Sequence, residues 1–351
     1  MNAGLNLTGY SLLGPSGADG IRYTWQIAHG CPLVESAAFN CRAKIPVSHE
    51  DRAVSAYTTS VSAGCALSAR HLACRFCRTG QALRYSGPLS SKEISLQNVL
   101  MVLMDTECED HPDVCQNQRE FAYMGQGEPG FAYSQLREAI RLTDRVMTQL
   151  DQRVFRHIIA SSGVPEMIDS LLADLTSGFY GDTRITFHFS LHAADGRHAL
   201  MPIERLYSHR DVIPRLTKLY ETTGDKPCVG IMLFKNLALG ARAPRYSTNS
   251  ETLEKIASLL DPKCHRISLC EYNEWGDLAR NDPVTPAEAA QMAELLKSHD
   301  FEVKLFASFG KRENTACGLL GGTSPTFEPG GRLQSRYQQA RRLVERMSTR
   351  R

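Results

Sequence analysis

Short β-like runs and stretches of helical periodicity alternate along this chain from about residue 51 to residue 307. No other feature restricts the fold as tightly. The β-rich runs fall at 58–63, 121–124, 155–160, 184–191, 228–234, 265–272 and 301–307, and the helical stretches at 90–105, 133–150, 165–176, 210–220, 250–260 and 285–299. Two of the helices open on capping-box patterns, Ser90-x-x-Glu93 and Thr285-x-x-Glu288. Strands joined through helices run parallel and carry the helices outside. The expectation is an α/β fold, with a parallel sheet closed or left open as a barrel of about six strand–helix units.

Before this region, Ile21–Ile27 and Leu33–Phe39 read as two strands of a hairpin with a turn at Gly30. Residues 1–50 are therefore taken as a small N-terminal β element and 51–322 as the α/β core. Residues 323–331, with Ser, Pro and Gly, read as a linker to a basic C-terminal helix carrying Arg332, Arg336, Arg341, Arg342 and Arg346. A net charge of +2 over 351 residues gives no global pull toward nucleic acid. The first twenty residues do not read as a signal peptide, and no apolar run reaches the length of a membrane span. A soluble, cytoplasmic protein, a monomer, is expected. In a reducing compartment its 11 cysteines point to metal or redox chemistry for some and to core packing for others.

Three of those cysteines lie close together at the end of the first strand of the core, Cys65, Cys74 and Cys77. Three thiolates suit a cubane iron–sulfur cluster with one iron left open for a chelating ligand. Zinc is the competing reading, with His71 as a fourth ligand, because Cys-x-x-Cys is also a zinc signature. The other strand ends are polar as well. Gly127-Glu128 offers close backbone approach and a carboxylate for an ammonium group. Taken alone it is a turn with a solvated glutamate. Ser161 and Ser162 suit a ligand carboxylate or ribose, or equally a helix N-cap before Pro165. Ser190-Leu191-His192, Asn273 and Cys317 follow later strands. His192 reads as structural or ribose-contacting. Asn273 suits an adenine edge or a turn, and Cys317 a reactive thiol or a small buried residue. In a parallel α/β fold these ends share one mouth.

The sequence resembles the radical S-adenosylmethionine RNA methyltransferases of the RlmN/Cfr type between about residues 19 and 322. The resemblance is carried by Asp19-Gly20, Val34-Glu35-Ser36, Asp51-Arg52-Ala53, Gly64-Cys65-Ala66-Leu67, Cys74-Arg75-Phe76-Cys77, Met124-Gly125-Gln126-Gly127-Glu128-Pro129, Ser161-Ser162-Gly163-Val164-Pro165, Ser190-Leu191-His192-Ala193, Met201-Pro202-Ile203 and Ala316-Cys317-Gly318. It implies a partial (β/α)6 radical SAM barrel. It implies one 4Fe-4S cluster on Cys65, Cys74 and Cys77. Gly127, Glu128, Ser161, Ser190, Leu191, His192 and Asn273 would contact S-adenosylmethionine. Cys317 would carry a methyl group, and Glu35 would match the family's acidic N-terminal residue. It further implies methylation of an adenine carbon in ribosomal or transfer RNA, and an external electron donor such as flavodoxin.

Three departures from the family pattern stand out. The family's Cys-x3-Cys-x2-Cys is here Cys65-x8-Cys74-x2-Cys77, an insertion within Ser68–Ala73. The family's thiol just before the cluster motif has no counterpart at Ala56–Thr58, with Cys41 a remote substitute. The family's N-terminal helical RNA-binding region is mostly lacking. A peptide or small-molecule substrate, or a non-catalytic RNA-binding homologue, therefore stays open beside the RNA methyltransferase.

Overall fold

The computed structural model describes residues 4–14, 20–27, 31–39, 54–106, 118–239, 245–274, 281–306 and 320–349. Twelve strands run in chain order: β1 (Asn6–Leu13), β2 (Gly20–Gln26), β3 (Val34–Phe39), β4 (Val54–Thr58), β5 (Ser62–Ala63), β6 (Gly87–Pro88), β7 (Gln118–Tyr123), β8 (Val154–Ser161), β9 (Ile185–Ser190), β10 (Cys228–Leu233), β11 (Arg266–Glu271) and β12 (Val303–Phe306). Ten of them form one sheet in the order β1-β2-β3-β4-β7-β8-β9-β10-β11-β12, and β5 pairs only with β6. Within that sheet β1 to β4 pair antiparallel and every pairing from β4 onward is parallel, while the separate β5–β6 pair is antiparallel.

The crossovers supply the helices. α1 (Ala66–Ala69), α2 (Arg78–Ala82) and α3 (Ser91–Asp105) follow β4, and α4 (Tyr133–Gln149) follows β7. α5 (Pro165–Thr176), then α6 (Arg197–Leu200) with α7 (His209–Thr223), α8 (Ser250–Leu259) and α9 (Pro286–Ser298) complete the series, and α10 (Gly331–Thr349) ends the chain. The expected strand–helix alternation is thus present, in sequential order, as an α/β fold built on a mostly parallel sheet. Both expected capping boxes form: the Ser90 hydroxyl accepts from the Glu93 amide, and the Thr285 hydroxyl from the Glu288 amide. No helix among the described residues is long and apolar enough to cross a membrane.

The two ends of the chain differ from the sequence reading. β1 goes unseen there because two of its inward positions are Gly9 and Ser11, which break the apolar alternation. Gly9 is needed small: a Cβ on it would sit 2.3 Å from the Phe327 carbonyl oxygen and 2.6 Å from Pro325. Residues 325–327 are consequently not a free linker. The Tyr10 amide donates to the Phe327 carbonyl at 2.9 Å, and the two rings stack at 5.2 Å. α10 then lies on α3, burying Leu333, Tyr337, Ala340, Val344 and Met347 along one stripe. Each large side chain there contributes roughly 1.5–3 kcal/mol by leaving water. This cover explains why α3 is buried on every side from Ile94 to Leu103, the polar Ser95, Gln97 and Asn98 included. Tyr337 also donates to the Leu5 carbonyl at 3.0 Å, tying the last helix to the first strand. The arginines at 332, 341, 342 and 346 remain exposed.

Candidate functional site

The C-terminal ends of the parallel strands meet at one mouth, and the turn after β7 lies at its centre. Gly125 and Gly127 let that turn press against the segment that follows β4. A Cβ on Gly125 would stand 2.6 Å from Ser60 Oγ, and one on Gly127 (φ +105°) 2.2 Å from Ser62 Oγ. The Gln126 carbonyl accepts from the Val61 amide at 2.9 Å, which locks the two segments together.

Glu128 comes next and is buried. Its Oε1 accepts from the Ser161 hydroxyl at 2.6 Å and from the Gly130 amide at 3.0 Å. Its Oε2 accepts from the Ser162 amide at 2.8 Å. This is an anchored carboxylate rather than a solvated one. The serines after β8 are therefore spent on Glu128, and the alternative of a helix cap does not hold: α5 has Val164 as its N-cap residue, with no side-chain cap bond.

Cys65 is buried, and Cys74 and Cys77 are half-buried. Cys65 leads into α1, whose Ser68 donates to the Cys65 carbonyl at 2.6 Å, and Cys77 leads into α2. The extra residues thus form a helical turn that returns to the second thiol. Cys74 Sγ lies 3.9 Å from Ser162 Oγ, the residue whose amide holds Glu128. Burial first, and then the Cys77 thiol, push Cys65 and Cys74 upward, Cys74 to about 12. The Glu128 carboxylate adds to the rise at both thiols, so all four groups share one electrostatic neighbourhood.

The donor set bears on which metal it fits. His71, the candidate fourth zinc ligand, is exposed with φ +56° and stands apart from these thiols in burial. Among the described residues no three His, Cys, Asp or Glu side chains come together for a single metal ion. Three thiolates on a cubane each bind a different iron and need not converge on one point. The chemistry of the set fits an iron–sulfur cluster with one open iron.

His192 (φ +60°) is buried, and its Nδ1 accepts from the Met232 amide at 3.1 Å. Burial, and then the Arg197 charge, lower it to about 3, so the ring is neutral and its proton sits on Nε2. The ring meets Phe76 edge-on at 5.2 Å, and Phe76 is the aromatic between Cys74 and Cys77. Tyr272 donates to the Phe76 carbonyl at 3.4 Å, bringing the buried Asn273 beside the same loop. Leu191 is buried, and its amide and that of His192 share the Gly230 carbonyl.

Arg197 is the residue that sequence reasoning missed. It is 1 % exposed, and its guanidinium donates to the carbonyls of Leu191 at 3.0 Å, Ser162 at 2.7 Å and Ser190 at 2.8 Å. Its remaining nitrogen pairs with Glu204 at 2.5 Å. One side chain therefore fixes the ends of both β8 and β9. The available signal was an arginine among Leu200, Met201, Pro202 and Ile203, all buried, where a charge needs partners.

Glu35 is fully buried on β3. Its carboxylate accepts from the Gly322 amide at 2.9 Å and the Thr323 amide at 3.2 Å, and it pairs with Arg22 at 3.5 Å. Thr79 on α2 donates to the Leu320 carbonyl. Residues 320–323 are thus held between the helix after Cys77 and Glu35. Cys317 lies outside the described residues, as do Cys41, Cys108, His111 and Cys115.

The fold is that of a radical SAM methyltransferase: the solved structure of such an enzyme from Sphaerobacter thermophilus superposes with a TM-score of 0.69 over 91 % of this chain and 82 % of its own, at 19 % identity. Sequence likeness narrows the class. A probable dual-specificity RNA methyltransferase RlmN of Synechocystis is 27 % identical over 263 residues, 74 % of this chain and 65 % of that protein. A protein of the same description from Heliobacterium modesticaldum is 26 % identical over 307 residues, 86 % of this chain and 70 % of its own. No family model matches the chain. The chain is thus similar to proteins described as RlmN, and it spans slightly less than two thirds of the Synechocystis relative.

Proposed function

We propose that this protein is a radical S-adenosylmethionine methyltransferase acting on an adenine carbon of RNA, with Cys317 as the methyl carrier. The observation that carries the reading is the Glu128 carboxylate, fixed by Ser161 and Ser162, with Cys74 Sγ 3.9 Å from Ser162 Oγ and the charge of Glu128 felt by the Cys65 and Cys74 thiols. Its RNA methyltransferase relatives support the substrate class.

Cys65, Cys74 and Cys77 would hold the 4Fe-4S cluster. Bound together, the cluster and S-adenosylmethionine would supply hydrogen-abstracting radical chemistry, which a ring carbon too weakly nucleophilic for ordinary methyl transfer requires. The protein's own part is binding and orientation. Glu128 presents a preset carboxylate to the cofactor's ammonium group, a charge-assisted bond that needs no rearrangement. Gly127 lets the backbone approach beside it. The neutral His192 offers an Nε2 proton to a ribose oxygen, and Asn273 offers an amide to the same nucleoside. Phe76, His192 and Phe234 pack rings around the cysteine loop and exclude water from it. Glu35 fixes Gly322 and Thr323, five and six residues beyond Cys317, by its two backbone bonds.

Anaerobic reconstitution with iron, sulfide, S-adenosylmethionine and a reductant, followed by mass spectrometry, tests the reading. The expected products are 5′-deoxyadenosine, S-methylated Cys317 and, with RNA present, methyladenosine. Absence of both deoxyadenosine and methylated Cys317 overturns it. Methyl transfer to RNA that survives Cys317→Ala overturns the carrier.

A further inference from the structure

We propose that the insertion within Ser68–Ala73 forms, with the loop after α2, a basic and aromatic rim that docks the phosphates and an unstacked base of a single-stranded RNA segment. This rests on the RNA reading above and adds the surface that receives the substrate.

Charge is the first observation. From Arg52 to Lys92 the sequence contains no aspartate or glutamate, while Arg70, His71, Arg75 and Arg84 are all exposed. The net charge of the whole chain is only +2, so this segment concentrates positive charge where the thiols are. Polyphosphate strands bind such a surface through counterion release.

Position is the second. Arg70 comes from the insertion, and its guanidinium lies 4.4 Å from the ring centroid of Phe131, three residues beyond Glu128. The Arg75 amide donates to the Leu200 carbonyl at 2.9 Å, next to the segment that Arg197 holds. The Arg84 backbone passes beside the residue before Cys65: a Cβ on Gly64 would sit 2.5 Å from the Arg84 carbonyl oxygen. These contacts place all three arginines on the segment around the cysteine loop.

Chemistry is the third. A guanidinium already stacked on Phe131 offers its other face to a base, and single-stranded RNA is held by this pairing of a cationic track with stacking planes. Tyr85 and Tyr207 are half-buried and both feel the Arg70 charge, which gives further ring surface beside it. Glu166 is the acid that faces Tyr207, at the outer margin of the rim. The arginines of α10 differ in place: Arg341 stands 5.7 Å from the ring centroid of Tyr337, on a helix that packs on α3.

The test is fluorescence anisotropy with a labelled single-stranded RNA oligonucleotide, titrated in salt, on the reconstituted full chain. Arg70→Ala, Arg75→Ala and Arg84→Ala are each expected to lower the slope of log affinity against log salt by about 0.7, and the triple variant to bind at least ~10-fold more weakly near 0.1 M salt. Arg70→Lys is expected to keep the slope but lose affinity, because it keeps the charge and loses the stacking plane. Arg341→Ala with Arg342→Ala on α10 is the control and is expected to leave both unchanged. Deoxyadenosine formation without RNA reads whether each variant is folded and loaded. If the triple variant forms deoxyadenosine and binds RNA as the wild type does, the rim is overturned and the RNA reading stands. If the wild type forms deoxyadenosine but binds no RNA, the RNA reading falls and the rim falls with it.

Discussion

Arg197 donates from Nη2 to the carbonyl oxygen of Ser162 at 2.7 Å, so the turn after β9 is fastened to the end of β8 by a buried cation. The same guanidinium holds Ser190 and Leu191 and pairs with Glu204. Arg197→Met leaves three buried carbonyls without this donor and strands Glu204. Loss of one partner from a buried pair costs about 3–5 kcal/mol, and urea unfolding reads it. Arg197→Lys keeps the charge but not the fork and is expected to fall between. Glu204 supplies the pH signature. Burial raises it, but hydrogen bonds from His209 and Arg197 bring it down to about 2. An unfolded Glu titrates near ~4.3, so this stabilisation is whole above that pH and is lost as pH falls toward 2. The gap between wild type and Arg197→Met narrows over that window.

Gly127→Ala combines strain with a clash. At φ +105° an alanine is disfavoured, and its Cβ would lie 2.2 Å from Ser62 Oγ and 2.8 Å from Val61 Cγ2. Gly178 (φ +70°) has open space around it and isolates the strain alone. Gly178→Ala is expected to cost about 1–2 kcal/mol. Gly127→Ala is expected to cost more and to abolish S-adenosylmethionine binding, read by isothermal titration alongside unfolding.

His192 is held neutral by burial and then by the nearby Arg197, down to about 3. An unfolded His takes a proton near ~6.5. Between those values the unfolded chain binds the extra proton, so stability falls as pH drops from 6.5 toward 3. His192→Asn tolerates the left-handed backbone and does not titrate there. Its melting temperature is expected to fall less than that of the wild type between pH 7 and pH 4.5.

Much of this was legible in the residues. The helix from Ser90 was readable because its capping box is local, and the parallel strands because their apolar runs are short and bounded by helices. The convergence of Glu128, Ser161 and Cys74 was readable only as an ordering of strand ends. The bonds that fix Glu128 depend on the separation of β7 and β8, which no local pattern encodes. Arg197 was hidden for the same reason: its acceptors are backbone carbonyls, which leave no mark in a sequence. β1 was hidden because Gly9 serves a crossing by Pro325 and Phe327 more than three hundred residues away.

The three thiols should be separable from the other cysteines by colour and iron. Cys65→Ala, Cys74→Ala and Cys77→Ala are each expected to lose the brown absorption and most of the roughly four irons of a reconstituted cubane. Cys228→Ala and Cys270→Ala, on β10 and β11, are expected to keep both. Zinc binding with no iron in the wild type would overturn the assignment.

Glu35 and Arg22 make the sharpest comparison. Both side chains are almost wholly buried, 4 % and 0 % exposed for Arg22 and Glu35, at 3.5 Å. Burial raises the Glu35 carboxyl, and Arg22 is the strongest influence opposing that rise, ahead of the Gly322 and Thr323 amides. In Glu35→Gln the single side-chain oxygen can accept from only one of those amides, which reach different carboxylate oxygens, and the buried Arg22 loses its anionic partner. Arg22→Met instead leaves a carboxylate in the core, which costs about 3–5 kcal/mol where it is ionised. That carboxyl then rises further. A folded carboxyl raised above its unfolded value destabilises as pH climbs through the interval, and the effect vanishes below the unfolded value near ~4.3. Urea unfolding at pH 8 and pH 5 is the measurement. Arg22→Met is expected to be less stable at pH 8 than at pH 5, recovering most of its loss there, while Glu35→Gln, whose stranded charge is an arginine that does not titrate, loses the same at both. An equal, pH-independent loss in both would mean that the backbone bonds to residues 322 and 323, and not the ion pair, hold that segment in place.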